Sequence, residues 1–368
     1  MSGALVHEWL APSGGSENVF EALVRLFPDE DRWCLWNDAG ERFSPVTESA
    51  LARTPLRRNK AAALPAMPLI WRSMPRRDYE WILVSSHLFA HHVRFSGPAR
   101  SAEKLLYVHT PARYIWEPDL DLRGDSWAAR AASVPLRAID SRRAQEAHSI
   151  AANSNFVADR IARTWGRKAE VIYPPIPVAD FTSPDPLSGE EERELAALPP
   201  EYLLGVSRFV TYKRLDAAIR AGAASGLPVV LAGAGPDEEK LRALGDDIHP
   251  GRVTIVRRPS TPMLRALMRH ATAVVFAPIE DFGIVPVEAM ASGTPVIANR
   301  IGGAAESVID GVTGVLVEDW TDPVVLREAV DRISHMSSEA CVDRAWHFDT
   351  GVFNSAIRKF VDERPLSP

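Results

Sequence analysis

The amino-acid sequence predicts an α/β protein made of two halves, each a parallel sheet covered by helices. Three observations carry that prediction. At 368 residues the chain exceeds one ordinary core and suits two domains of common size. From Tyr202 to Met336 short apolar runs alternate with helical patterns, and such alternation demands parallel strands joined by crossover helices. The stretch Ala277 to Gly293, APIEDFGIVPVEAMASG, leads from a strand-forming run at Ala273 to Ala277 through a loop into a short helix. In a parallel sheet such a loop lies at the carboxyl edge, where ligands bind.

Composition bounds the function. Hydrophobic residues are 46% of the chain and charged residues 24%, which supplies a core. A formal charge of −6 argues against nucleic acid as a partner. Cys34 and Cys341 stand far apart without metal spacing, as expected in a reducing compartment. His7 and Glu8 interrupt the first apolar run, so no secretory leader is expected, and no apolar run has membrane-spanning length. The expected location is the cytoplasm, with contact at the inner face of a membrane left open.

In the first half, Ala4 to Val6 reads as a strand. The loop Pro12 to Ser16 precedes a helical pattern at Val19, Leu23, Leu26 and Phe27, with Ser16 as its N-cap. Gly14 and Gly15 either make a tight turn or let backbone N–H groups approach an anion. Arg53 to Arg77 holds seven basic residues and no acidic one, interleaved with apolar residues and four prolines. It reads either as a solvated irregular segment or as a cationic apolar surface for anionic lipid or a pyrophosphate-linked ligand. Trp81 to Ser85 and Lys104 to Val108 read as buried strands, the second delivering His109 to the carboxyl edge of the sheet. His87, His91 and His92 do not make a convincing metal site. Asp-x-Asp occurs at Asp29 to Asp31 and at Asp119 to Asp121, and both copies read as surface loops. Trp127 to His148 and Phe156 to Trp165 are helical patterns around a strand at Ile150 to Ala152. Proline density then marks residues 179–200 as a linker between domains 1–178 and 201–350.

The second half opens with strand Tyr202 to Val206, whose following loop carries Arg208 and Lys213. Two cations at this spacing suit a diphosphate. The loop after Ala277 offers the N–H groups of Gly283, Ile284 and Val285 at the start of a helix, again a place for an anion. Glu280 and Glu288 frame that loop. They would repel a phosphate unless each faced hydroxyls, so a sugar nucleotide is the natural guest.

These residues resemble a known family. Glu280 to Glu288 matches the E-x7-E signature of retaining glycosyltransferases of the GT-B fold, and EDFGIVPVEAMASGTPVIA and YVHTPARYIW resemble family 4 of that class. The resemblance implies two Rossmann-like domains facing each other across a cleft, the first for the acceptor and the second for the nucleotide sugar. A final helix in 351–368 is then expected to return to the first domain. It implies further that Arg208 and Lys213 bind the donor phosphates, together with Gly14, Gly15, Phe282, Gly283, Ile284 and Val285. Glu288 is expected to hold the ribose, and Glu280 and His109 to act at the transferred sugar. Arg113, Tyr114 and Trp116 are candidates for the acceptor side, or pack a loop. No metal or other cofactor is expected. A hexose, mannose as first guess from GDP-mannose, would pass to a saccharide, glycolipid or small-molecule acceptor. Arg257-Arg258-Pro259 replaces the family's usual Phe-Leu-Gly turn, so base preference does not carry over. A sugar-nucleotide epimerase or hydrolase of this fold and an inactive transferase-like scaffold are the alternatives. A nicotinamide dehydrogenase is disfavoured, because Glu238 stands where Gly233-Ala-Gly235 would need its third glycine.

Overall fold

The computed structural model describes residues 2–117 and 127–363, with the backbone alone for 127–132. The Asp119 to Asp121 pair therefore lies outside the described residues. Backbone contacts divide the chain into two units, Met1–Pro175 with Gly351–Pro368 and Ile176–Thr350.

The first unit holds β1 (Gly3–His7), β2 (Asp31–Cys34), β3 (Thr47–Glu48), β4 (Trp81–Ser86), β5 (Glu103–Val108), β6 (Ser149–Ala152) and β7 (Glu170–Val171). They form one parallel sheet in the order β3-β2-β1-β4-β5-β6-β7. Side chains alternate between its faces, as period-two geometry requires. Val6, Ile82, Val84 and Leu106 join one core, and Leu5, Leu83, Leu105 and Tyr107 join the other. The second core is closed by helix Thr350–Asp362, which buries Phe353, Ile357, Phe360 and Val361 in it. Each such side chain contributes roughly 1.5–3 kcal/mol of burial. β2 and β3 have no counterpart in the sequence reading because they are short: β2 opens on polar Asp31 and Arg32 before buried Trp33 and Cys34, and β3, at the sheet's edge, is exposed throughout.

The second unit holds β8 (Leu203–Val206), β9 (Val229–Gly233), β10 (Val253–Arg257), β11 (Ala273–Phe276), β12 (Val296–Asn299) and β13 (Gly314–Val317). This sheet is also parallel, in the order β10-β9-β8-β11-β12-β13. In both sheets the order reverses beside the first strand, between β1 and β4 and between β8 and β11. Each reversal opens a crevice at the carboxyl edge, the place where open α/β sheets bind ligands. The expected α/β fold of two Rossmann-like sheets is borne out.

Several local expectations change. Residues 179–200 contain helices Ala179–Thr182 and Gly189–Ala196. Ser188 and Glu191 form a reciprocal capping box, and Arg265 pairs with Asp180 and Asp185 at 3.1 and 2.8 Å, so the stretch packs onto the second unit. The helix predicted to start after Ser16 begins at Gly15 with Gly14 as its cap. Glu288 lies one turn deeper in helix Ile284–Ala291 than its first turn. In the 53–77 segment Met67 and Trp71 are buried, and Leu56, Leu64 and Ile70 pack against the same core. Leu69, 72% exposed, is the large apolar side chain there that faces water. Most of the apolar half of the pattern thus serves the interior and leaves Arg53 and Lys60 outside, whereas Arg72 is drawn in to pair with Glu146.

Candidate functional site

In the second unit the crevice between β8 and β11 gathers the residues that the sequence singled out. Lys213 ends a 3-10 turn, Thr211–Lys213, in the loop after β8, and Glu280 lies in the loop after β11. They are 67 positions apart in sequence, yet the Lys213 ammonium donates directly to Glu280 Oε1, with both side chains about four-fifths buried. Arg208, exposed, donates from Nη2 to the Tyr212 hydroxyl at 2.7 Å. The guanidinium therefore stands at the surface of the loop, held by a neutral partner.

Gly283 and the pair Gly302-Gly303 shape this crevice. Gly283 caps the helix Ile284–Ala291 with φ 85°, and a Cβ there would press on the Phe276 ring at 3.1 Å. The turn Gly302-Gly303 runs directly beneath the Glu280 loop, where Gly303 N donates to Glu280 O at 2.8 Å. A side chain at Gly302 would meet Glu280 O at 2.9 Å, so only glycine allows that approach. The result is a fixed loop in which the N–H groups of Gly283, Ile284 and Val285 find no acceptor among the described residues. Unpaired N–H groups at a helix start attract an anion. Phe282 is buried with its ring 5.6 Å from that of Phe348, so toward the crevice it offers main chain rather than ring.

Glu288 has its carboxyl pKa raised to about 7, because burial outweighs the opposing charge of Arg265. It is thus partly protonated near neutral pH. Arg257, the last residue of β10, pairs with Glu238 at 3.1 Å, which anchors the departure from the family turn.

In the first unit the crevice between β1 and β4 is lined by histidines. His7 is paired in register with Ser85, and Ser85 with Tyr107, so His7, Ser85 and His109 stand side by side at three strand ends. Ser85 Oγ lies 3.0 Å from His7 Nδ1 and 2.8 Å from His109 Nε2. The His87 ring stands 5.5 Å from that of His7 and 6.4 Å from that of His109. Burial lowers the pKa of His87 and His109 to about 3 and that of His7 well below its usual value. All three stay neutral, and His109 can supply a hydrogen bond but no charge.

Other buried polar groups hold this edge in place. Glu8 Oε1 accepts from Leu88 N at 2.8 Å, Ala90 N at 2.7 Å and Ser86 Oγ at 3.3 Å, and burial still raises its pKa to about 7. Asp140 Oδ1 lies 3.2 and 3.3 Å from the Nε2 atoms of His91 and His92, and its Oδ2 accepts the indole N–H groups of Trp116 and Trp165 at 2.7 Å. Among the described residues this is the cluster with metal-ligand spacing. Asp140 is already hydrogen-bonded to both indoles and to His92, which marks the cluster as a structural network. Arg160 fixes the loop after β5 by donating to Thr110 Oγ1 at 2.8 Å and pairing with Glu117 at 2.7 Å. Sequence reading missed Asp140 and Arg160, since nothing local signals a partner 48 or 50 positions away.

Two expected ligand contacts meet competitors. The start of helix Gly15–Leu26 is covered by its own Glu17 carboxylate, which accepts from Ala11 N at 3.3 Å and Ser16 Oγ at 2.8 Å. A phosphate at Gly14 and Gly15 would face that charge. The Trp116 indole is taken by Asp140, whereas Arg113 and Tyr114 are half-buried in the same short helix, Arg113–Trp116.

With this geometry in hand, the chain can be set beside known proteins. Residues 189–345, within the second unit, match the family model of the glycosyl transferases group 1. The chain is 30% identical over 266 residues to a D-inositol 3-phosphate glycosyltransferase of Mycolicibacterium smegmatis, covering 66% of this chain and 60% of that protein. It is 32% identical over 209 residues to a GDP-mannose-dependent alpha-(1-6)-phosphatidylinositol monomannoside mannosyltransferase of Mycobacterium tuberculosis, 52% of each. The chain thus spans between half and six tenths of these relatives. Anabaena HepE, solved with UDP-glucose, superposes with a TM-score of 0.70 at 18% identity over 98% of this chain and 99% of that one. The fold is that of the GT-B glycosyltransferases, and the recognition made from the E-x7-E stretch is borne out at that level.

Proposed function

We propose that this protein is a retaining, metal-independent glycosyltransferase that moves a hexosyl unit from a nucleotide diphosphate sugar to a hydroxyl of a saccharide, lipid-linked or small-molecule acceptor. Mannose from GDP-mannose is the first choice of donor, supported by the name of the tuberculosis relative. The observation that carries the reading is the Lys213–Glu280 pair on a loop with three unpaired N–H groups, at the strand-order reversal of the second sheet.

The pair gives the site a resting state and a working one. A donor diphosphate competes for Lys213, joins Arg208 and the N–H groups of Gly283, Ile284 and Val285, and releases Glu280 to accept hydrogen bonds from the sugar hydroxyls. Glu288 takes the ribose hydroxyls. In the transfer step the bond from C1 to the diphosphate oxygen breaks and its electrons leave with the diphosphate. The acceptor oxygen bonds to C1 on the same face, and its proton passes to the departing phosphate oxygen. Negative charge grows on the diphosphate as the bond breaks, so preplaced cations and N–H dipoles supply most of the acceleration. Neutral His109 contributes a hydrogen bond to the transferred sugar, while Arg113 and Tyr114 stand toward the acceptor. No described helix is long and apolar enough to cross a membrane.

A thermal-shift panel of GDP, UDP, ADP and their hexose conjugates, with and without EDTA, tests this reading. One nucleotide series should stabilise the protein equally in both conditions. Stabilisation by none of them, or stabilisation abolished by EDTA, contradicts it.

A further inference from the structure

We propose that a cationic pocket in the first unit binds a phosphate or diphosphate carried by the acceptor. The proposal rests on the transferase reading but concerns a separate set of residues. The pocket has a volume of about 860 Å³ and is lined chiefly by Asp38, Arg53, Thr54, Arg57, Arg58 and Lys60. That size accommodates a phosphorylated sugar.

Its wall is built rather than incidental. The 3-10 turns Ala50–Arg53 and Pro55–Arg58 follow β3, and Ser49 caps the first while donating to Leu35 O at 2.9 Å. Arg57 is locked: its Nε and Nη2 donate to Asp38 Oδ1 at 3.1 and 2.6 Å, and Nη2 also donates to Asn37 O at 2.7 Å. Asp38 and Glu48, the acids facing this wall, are both engaged with Arg57. Arg53 and Arg58 are exposed and have no hydrogen bond or ion pair among the described residues. Four cations against two acids leave a surplus of positive charge on one concave surface. Isolated surface arginines usually just face water. Here a fixed arginine, two unpaired ones and a lysine converge on one space, which is the pattern that recognises phosphate oxygens.

The pocket's place fits the acceptor. It lies beyond the carboxyl ends of β2 and β3, on the same sheet edge as the histidine crevice. Lys60 Nζ sits 4.3 Å over the Trp9 ring, the Trp9 ring is 4.9 Å from that of His87, and His87 neighbours His109. An anion held by Arg53 and Arg58 thus stands beside a continuous aromatic wall leading to His109. Apart from Leu69, the segment's large apolar side chains pack inward, so the chemistry recognised is phosphate rather than hydrocarbon. A soluble sugar phosphate and a phospholipid headgroup both supply it.

Calorimetric titration with inorganic pyrophosphate at low salt tests the proposal on the wild type, an Arg53→Glu/Arg58→Glu variant and an Arg208→Ala/Lys213→Ala variant. The wild type should show two classes of site. The charge-reversed variant, with unchanged melting temperature because both side chains are exposed and unpaired, should lose one class at least tenfold while keeping nucleoside diphosphate binding. The second variant should lose the other. Wild-type pyrophosphate binding by the charge-reversed variant overturns the pocket. Loss there with no change in the second variant upholds the pocket and sinks the donor assignment instead. Sedimentation with phosphatidylcholine vesicles containing phosphatidylinositol, against competition by glucose 1-phosphate, identifies the source. Binding to either that is lost on charge reversal supports the pocket, and binding to neither overturns it.

Discussion

The two sheets share one strand order and reverse it at the same place, yet the crevices at the two reversals are chemically opposite. In the second unit the crevice carries a lysine paired with a carboxylate, an exposed arginine and unpaired N–H groups, with Glu288 buried further along the helix. In the first it holds three histidines kept neutral by burial, beside Glu8, whose Oε1 accepts three hydrogen bonds while its Oε2 has no partner among the described residues. Topology therefore fixes where a ligand can sit, and the loops decide what is bound. On the proposed reading the charged crevice holds an anion and stabilises charge as it develops, and the neutral one orients hydroxyls without competing for phosphate.

The sharpest separation of the two crevices comes from Glu280→Ala. It should lower transfer by about a thousandfold, measured by mass spectrometry of products, while leaving the melting temperature of the protein close to wild type. Asp140→Asn should do the reverse. Replacing one carboxylate oxygen by an amide sets N–H groups against N–H groups in a buried network, lowering stability by about 3 kcal/mol in denaturant unfolding, with nucleotide affinity unchanged. Lys213→Ala removes a charge-assisted contact to the diphosphate and should weaken nucleoside diphosphate binding about 10- to 100-fold by calorimetry. Arg208→Ala, at an exposed position, should have the smaller effect of the two.

The mildest expected change concerns pH. Glu288 has a folded pKa of about 7, above its unfolded value, so the fold favours the protonated form. Its stability contribution is complete below the unfolded pKa and is lost as pH rises through about 7. Glu288→Gln should accordingly gain on the order of 1 kcal/mol over wild type at pH 8 and little at pH 5. Donor affinity should move the other way, rising in the wild type from pH 6 to 8 as the carboxylate forms, and lying flat in the variant. Equal pH profiles would remove Glu288 from the nucleotide site.

Much of this was legible in the sequence, and the reasons differ by element. The interior strands β4, β5, β9 and β11 announce themselves as apolar runs because both their faces are buried. The short strands β2 and β3 do not, since two to four residues are too few to show a periodicity. Glu280, Glu288, Arg208 and Lys213 were visible because strand-to-helix loops in a parallel sheet come to one edge. That Lys213 and Glu280 pair with each other was not visible, because the contact depends on β8 and β11 being neighbours despite two intervening strands in sequence. The same holds for Glu17 covering Gly14 and for Trp116 serving Asp140. A residue's type fixes what it can bond, whereas its partner is fixed by topology. The basic segment shows the limit most clearly: its sequence offers an amphipathic surface, and only packing reveals that the apolar members face inward.

The most direct test is a crystal structure with a nucleoside diphosphate bound. Its diphosphate should lie within hydrogen-bond distance of Lys213 and the N–H groups of Gly283, Ile284 and Val285, with Lys213 drawn away from Glu280. A diphosphate seated instead against Gly14 and Gly15 or the histidines of the first unit, with the Lys213–Glu280 pair intact, would contradict the account.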